Sequence, residues 1–427
     1  MFYRVNMSDL TVSSEEGARY QGVGGKVLCS RIIRSEVIPD SNSLGEGNTL
    51  VLAAGLLSGT GAPNAGRLFL GAKSPLTDTV MVSSAGGGMD NKLGKLGIQG
   101  IIIEGMPDGK KGYVLRVNAK GVFLEEMPEL HGLNIYAATK NLQQKYGQQV
   151  SIGCIGIAGE NKLLISCVGF TDWQGQSTRQ AGRGGLGAVM GSKGIKAIVV
   201  DDKGANKIKI ADERAFQDGA KKLAESLLAG QSKEKLEFSD GATFRCLPGC
   251  IIPCENWQNT KNDQGKTNPL LPKSHKILGK NLGIDNIKEM VLINQLCDNF
   301  GVDTIEFSKA VSMAVKAGVL AGGAQAAVKA MQEIEKNTLM GRVIGSGAKT
   351  FGKVFGVPDN AIRIAKRDKT QNQELMTLLD SLGLCKFLAG ELTDKPKGIA
   401  GIIEMCNARY GWHKSIEEYL ELSIEAE

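Results

Sequence analysis

Apolar and polar positions change their period part-way along the chain. Up to about residue 205, short β-branched or apolar runs recur: Thr49-Leu50-Val51-Leu52, Ile101-Ile102-Ile103, Tyr113-Val114-Leu115-Arg116-Val117 and Ala197-Ile198-Val199-Val200. Clusters of Gly, Asn and Asp separate them, so they read as strands. Residues 133–146 break the pattern, with Ile135, Ala138 and Leu142 on one helical face. The polar run 201–207 (DDKGANK) reads as a boundary. Beyond it the period is helical, predicting helices over 212–231, 285–300, 304–321, 326–336, 373–382 and 414–425. Asp212 and Asp303 stand where N-caps belong. Strands first and helices later predict an α+β fold rather than a doubly wound sheet. The expected division is a β-rich region over 1–205, a helical region over 206–340 and a shorter helical region over 341–427. No internal repeat of fixed period is visible. One short echo is: Asp298-Asn299-Phe300-Gly301-Val302-Asp303 and Asp380-Ser381-Leu382-Gly383-Leu384-Cys385. Each ends a predicted helix, where glycine can take the left-handed conformation.

Composition narrows the class. Hydrophobic residues at 42% and charged residues at 22% fit a globular protein. Glycine, at 56 residues without a collagen period, asks for tight turns and backbone lying close to something. The net charge of +6 is spread without a basic block, which argues against nucleic acid. No apolar run approaches a membrane span. The first ten residues lack the apolar core of a secretory leader, so a reducing cytoplasm is expected.

In that compartment Cys246-Leu247-Pro248-Gly249-Cys250-Ile251-Ile252-Pro253-Cys254 is the most informative stretch. Pro248, Gly249 and Pro253 bend the backbone so that several sulfurs can face one point. Three clustered thiols plus the remote Cys385 follow the ligand logic of a cubane 4Fe-4S cluster. The other reading is a set of buried or disulfide-bonded cysteines. Cys29, Cys154, Cys167, Cys297 and Cys406 sit in apolar sequence and read as small buried hydrophobes.

Two glycine-rich stretches lie in the first region: Ser58 to Arg67, followed by Lys73-Ser74-Pro75-Leu76-Thr77 and Ser83 to Gly88, and Gln180 to Lys193. Glycine lets backbone N–H groups approach phosphate, and arginine adds a planar double donor. Neither stretch ends in Gly-Lys-Ser/Thr, and neither has dinucleotide-binding spacing. Taken alone, both read first as turns in a compact β domain.

Taken together with the cysteine run and the two Asp-x-x-Gly motifs, in this order, these stretches resemble the aldehyde ferredoxin oxidoreductase family across nearly the whole chain. The resemblance implies a β-rich base on which two pterins chelate one tungsten or molybdenum, covered by helical domains. It implies that Arg67 and Arg183 contact pterin phosphates, with Gly86, Gly87, Gly182 and Gly184 lining their approach. The backbone near Ser84 and Ala181 is implied to hold a magnesium ion bridging those phosphates. Asp298 with Asp303, and Asp380 with Leu384, are implied to bind one pterin each. Cys246, Cys250, Cys254 and Cys385 are implied to ligate the cluster.

The chain departs from the family in four places. Its cysteine spacing is three-then-three rather than the commoner two-then-three. The interval from Asp303 to Asp380 is compressed, with polar sequence (RIAKRDKTQNQ, 363–373) where a substrate-channel segment normally stands. Pro272-Lys273-Ser274-His275-Lys276 replaces an acidic stretch, leaving His275 as the candidate acid–base residue. His131 and His413 read as surface or capping residues. Ser84 stands in place of an asparagine.

The expected activity is oxidation of an aldehyde to a carboxylate, with electrons leaving through the cluster to ferredoxin or another iron–sulfur carrier. The competing readings are a non-catalytic pterin and iron–sulfur subunit of a larger electron-transfer complex, and a truncated product unable to close its site. A homo-oligomer or a partner subunit is expected in either working case.

Overall fold

A computed structural model describes the chain except for residues 16, 18–19, 110–111, 230–245, 248, 253–255, 262–266, 271, 359–370 and 425–427. For 256–261, 267–270, 272–275, 371–372 and 424 it describes the backbone alone. The fold is α+β, as the change of period predicts.

The first region holds two six-stranded sheets. One comprises β1 (Phe2–Asn6), β2 (Thr11–Glu15), β3 (Leu50–Ala53), β4 (Leu68–Lys73), β5 (Val80–Ala85) and β6 (Gly100–Glu104), in the order β2-β1-β6-β3-β4-β5. The other comprises β7 (Tyr113–Asn118), β8 (Gly121–Glu126), β9 (Ser151–Cys154), β10 (Val168–Thr171), β11 (Ser177–Ala181) and β12 (Ile195–Val200), in the order β8-β7-β12-β9-β10-β11. Each strand of the second sheet stands where the strand six numbers lower stands in the first. The parallel pairs match too, β1 with β6 and β7 with β12. The region therefore repeats one strand topology, an internal duplication in structure that no fixed sequence period marks. The two copies share topology rather than side-chain pattern, so a search for a sequence period passes over them.

Strand alternation explains the layers. Leu50, Leu52, Ile101 and Ile103 point into a core shared with Leu115, Phe170, Ile198 and Val200 of the other sheet. Val51, Ala53 and Ile102 point outward onto the helix Gly25–Glu36. Ala197 and Val199 likewise face the helix Ile135–Tyr146. Burial on both faces is why these strands read as unbroken apolar runs.

Each half of the base carries its own helical cap. Ala158, Leu163 and Ile165 pack with the helices Ile287–Phe300, Thr304–Lys316 and Gly323–Glu335. Leu56, Leu57, Ala62 and Ala65 pack with residues from Leu378 to Tyr419. The helix Glu213–Leu228, expected from its position to belong with the 206–340 region, packs instead against Pro396–Tyr410. Asp212 and Asp303 do cap their helices, accepting from Ala215 N–H and from Ile305 and Glu306 N–H.

Caps and base meet at two backbone crossings. Gly383 (φ +80°) lies against Gly55, and Gly301 (φ +73°) lies against Gly156. A Cβ on Gly55 falls 2.1 Å from the Gly383 Cα, and one on Gly156 falls 2.3 Å from the Phe300 carbonyl oxygen. The carbonyl of Gly383 accepts from the N–H groups of Gly66 and Arg67, and that of Gly301 from Cys167. Single antiparallel bridges, Ala65 with Leu384 and Ser166 with Val302, complete each crossing.

Buried Asp90 braces the Gly55 turn. Its carboxyl accepts from Ser58 Oγ at 2.6 Å and from Gly55 N–H at 3.3 Å. Burial pushes it up to about 8, against the pull of those bonds and of Arg409.

Gly156→Ala should destabilise the protein by about 1–3 kcal/mol in denaturant unfolding, the usual cost of overpacking; an unchanged midpoint would mean that the crossing is loose. Folded Asp90 keeps its proton until near pH 8, whereas the unfolded carboxyl loses it near pH 3.9. Its contribution is thus full below the unfolded value and is lost as pH rises towards 8. The Asp90→Asn protein should lose less melting temperature between pH 5 and pH 8 than the wild type. Parallel losses would show that Asp90 titrates like an exposed carboxylate.

Candidate functional site

The crossing at Gly383 delivers Cys385 to the edge of β4. There it meets the loop carrying Cys246 and Cys250; Cys254 lies outside the described residues. The three described thiols are buried, each 3–4% exposed. Arg67, entering β4, donates Nη2 towards Cys385 Sγ at 3.4 Å and towards Cys246 Sγ at 3.9 Å. The Cys250 thiol is held well above its ordinary range by the neighbouring Cys246 sulfur and by burial. It donates to the Ile252 carbonyl at 3.1 Å. No three His, Cys, Asp or Glu side chains among the described residues form a ready single-ion site.

The two glycine-rich stretches come together, although far apart in sequence. Ser83 Oγ on β5 donates to the Gly182 carbonyl at 2.5 Å, joining the outer strands of the two sheets. Ser84 lies one residue further along β5, opposite Phe69, and half-buried. Gly86 lies beside Arg67 and the thiol loop: a Cβ there stands in ordinary contact, 3.6 Å from Arg67 Nη1 and 3.7 Å from the Cys246 Cβ. Gly87 (φ +125°) lies against the Thr171 carbonyl. Ala181 is buried, and Gly184 accepts from Ser74 Oγ at 2.7 Å. One edge therefore carries Arg67, Gly86 and the three thiols at one end and the Gly182–Gly184 turn beyond.

Arg183 takes the left-handed conformation (φ +70°), and its N–H donates to Asp303 Oδ2 at 2.9 Å. Its guanidinium is half-exposed, 3.9 Å from Asp303 and 3.6 Å from Glu306. Asp303 Oδ1 caps its helix, so both of its oxygens are engaged. Asp298 accepts from Gln180 Nε2 at 2.5 Å and Asn294 Nδ2 at 3.0 Å. Burial holds it far above the carboxylate range, outweighing Arg179 and the Gln180 bond. A protonated Asp298 can donate a hydrogen bond as well as accept one. Asp380 occupies the matching place in the other half, its carbonyl packed on Gly25, and Leu384 is fully buried.

His275 belongs to the helix Pro272–Leu282, but its side chain lies outside the described ones. His131 is exposed, 3.9 Å from Glu160. His413 borders a cavity of about 740 Å³ between Glu213–Leu228 and Pro396–Tyr410, away from the thiols. Cys29, Cys154, Cys167, Cys297 and Cys406 are buried, as their apolar sequence predicts.

Sequence reasoning passed over Asn64 and Asp90. Pro63-Asn64 carries a turn signal that marks a left-handed residue, but nothing local names its distant partners.

Residues 2–202 match the model of the aldehyde ferredoxin oxidoreductase N-terminal domain, and residues 197–371 match that of domains 2 and 3. The tungsten-containing aldehyde ferredoxin oxidoreductase of Pyrococcus furiosus is 24% identical, over 99% of this chain and 86% of that protein. That alignment runs over 534 positions against 427 residues here, so the relative carries segments with no counterpart in this chain. The enzyme of the same name from Pyrococcus horikoshii is 29% identical over 73% of this chain and 57% of that protein. A solved structure, "Active site complex BamBC of Benzoyl Coenzyme A reductase in complex with 1,5 Dienoyl-CoA", shares the fold at a TM-score of 0.82 and 15% identity. It covers 99% of this chain and 86% of that one. The duplicated base, the paired caps and these matches agree: the chain belongs to the aldehyde ferredoxin oxidoreductase family.

Proposed function

We propose that the chain is an oxidoreductase that converts an aldehyde, or a related oxo compound, to a carboxylate and passes the electrons to ferredoxin or a similar carrier. The observation that carries this reading is the meeting of Cys246 and Cys385 at the Arg67 guanidinium, with Cys250 against those two thiols, beside the glycine edge.

The residues fit the cofactors that the family implies. Buried thiols facing one another are a soft donor set suited to iron and sulfide, with Cys254 as fourth ligand. Arg67 and Arg183, flanked by Gly86, Gly87, Gly182 and Gly184, suit two phosphate groups. The backbone at Ser84 and Ala181 is the proposed place for a bridging magnesium ion. Asp298 with Asp303, and Asp380 with Leu384, are the proposed pterin contacts. Tungsten is favoured over molybdenum by the relatives' names. When bound, the metal pterin supplies the two-electron oxidation and the cluster an electron exit.

The chain's own part is placement and electrostatics. Arg67 reaches the sulfurs, so one cation can serve both thiolate and phosphate charge. Burial raises Asp298 well above the carboxylate range, and in its protonated form it can donate to an acceptor on a bound group. His275 is proposed, from its position alone, for proton transfer. We divide the chain into the base (1–205) and two caps, and assign Glu213–Leu228 to the C-terminal one because it packs there. We place the protein in the cytoplasm, where a thiol-ligated cluster persists. Among the described residues no helix is long and apolar enough to cross a membrane.

The segments that the Pyrococcus furiosus relative carries in excess support a second reading, a subunit that needs a partner to cover its site.

Two measurements test the proposal. Anaerobically reconstituted protein should bind about four iron and four sulfide per chain. Cys250→Ala with Cys385→Ala should abolish this; wild-type iron in the double variant rejects the ligand set. A steady-state dye-reduction assay of the isolated, metal-loaded chain separates the two readings: under the second, an uncovered site admits water and simple aldehydes are oxidised weakly or not at all. Turnover of about 1–1000 per second would instead show that the short chain closes its own site.

A further inference from the structure

Asn64 is buried and touches both parts of the thiol site. Its N–H donates to the Gly249 carbonyl at 3.2 Å, and its carbonyl accepts from Cys385 N–H at 3.1 Å. Its side-chain oxygen accepts from Ile251 N–H at 3.0 Å, and Nδ2 lies 3.5 Å from Cys250 Sγ. The partners decide the orientation of the amide. Ile251 N–H can only donate, so the oxygen must face it, and the NH2 group must then face the sulfur. The left-handed backbone (φ +59°) that permits all four contacts is one that asparagine tolerates well.

The duplication supplies an internal control. In the other half Ile165 occupies the equivalent place. Its N–H donates to the Gly345 carbonyl at 3.0 Å, and its carbonyl accepts from Asp303 N–H at 2.8 Å. The two backbone bonds are thus common to both crossings and need no polar side chain. The amide stands in the half that carries Cys246, Cys250 and Cys385, where the backbone of residue 64, unlike that of Ile165, is left-handed, and it adds two side-chain contacts to the Cys250 loop that Ile165 has no group to make.

We propose that Asn64 is a positioning residue of the thiol site: it locks the Cys250 loop to Cys385 and donates a hydrogen bond to the Cys250 sulfur, raising the electron affinity of the cluster held there. The inference rests on the cluster reading above. A donor on a ligand sulfur stabilises the extra negative charge of the reduced state, so its loss lowers the reduction potential.

The test uses the full chain reconstituted with iron and sulfide, with iron content and an EPR-monitored redox titration as readouts. Asn64→Gly keeps the backbone conformation and removes the donor without adding charge. Asn64→Asp keeps the acceptor for Ile251 and replaces the donor. Both should shift the midpoint to more negative potential. For Asn64→Gly the shift should be roughly tenfold in electron affinity, about 59 mV for one electron. Iron loss at an unchanged melting temperature also supports the proposal, because the backbone bonds that hold the fold remain. Wild-type iron and an unchanged midpoint in both variants overturn it. A wild-type chain that assembles no cluster removes the cluster reading itself, and this inference with it.

Discussion

Everything at the candidate site depends on backbone meeting backbone at two points. A helical segment from each cap turns back at a left-handed glycine and lays its chain on a turn of the base, with no room between for a side chain. Such contacts are short and directional, because carbonyl and N–H groups face each other at fixed geometry. They fix the residues after each glycine far more tightly than apolar packing could. Two positions later stands Cys385 in one half and Asp303 in the other.

The duplicated base thus offers one scaffold twice, and chemistry distinguishes the copies. Where one half presents a thiol beside other thiols and Arg67, the other presents a carboxylate that caps a helix and holds Arg183. Both crossings stand on one edge, where Ser83 joins β5 to the Gly182 turn. A large two-part ligand can rest along such an edge with its halves in similar surroundings. The thiols at one end make it asymmetric, and on the proposed reading that end is where electrons leave. The duplication accounts for the architecture; the differences between equivalent residues account for direction.

Much of this was legible in the chain. Strand runs, helix starts at Asp212 and Asp303, and the change of period come from local patterns, which side-chain spacing encodes directly. The echo between residues 298–303 and 380–385 was visible as sequence and proves to mark the two crossings. Its cause was not visible, because the receiving turns at Gly55 and Gly156 lie in unlike sequence. The helices Gly25–Glu36 and Pro396–Tyr410 went unread: the first lies within the strand-rich region, and the second has glycines along its packed length. Asn64 and Asp90 escaped for a related reason. Their roles are set by partners between 32 and 321 residues away, and no local spacing encodes that.

Burial of the thiols also constrains how the site can be filled. A thiolate is the better ligand, whereas the adjoining Cys246 sulfur and burial hold the Cys250 thiol well above its ordinary range. On the proposed cluster reading, metal binding displaces protons from these thiols and is linked to pH and to folding. Arg67 eases this, since a guanidinium stays charged and offsets the negative charge that gathers as thiols ionise. It can do so only where the Gly383 crossing brings Cys385 beside Cys246, because Arg67's own N–H is held by the Gly383 carbonyl. One glycine contact thus places both the remote thiol and the cation that favours its ionisation. A change that loosens that contact disturbs the thiols and the buried cluster of Leu56, Leu57, Leu382 and Leu384 together.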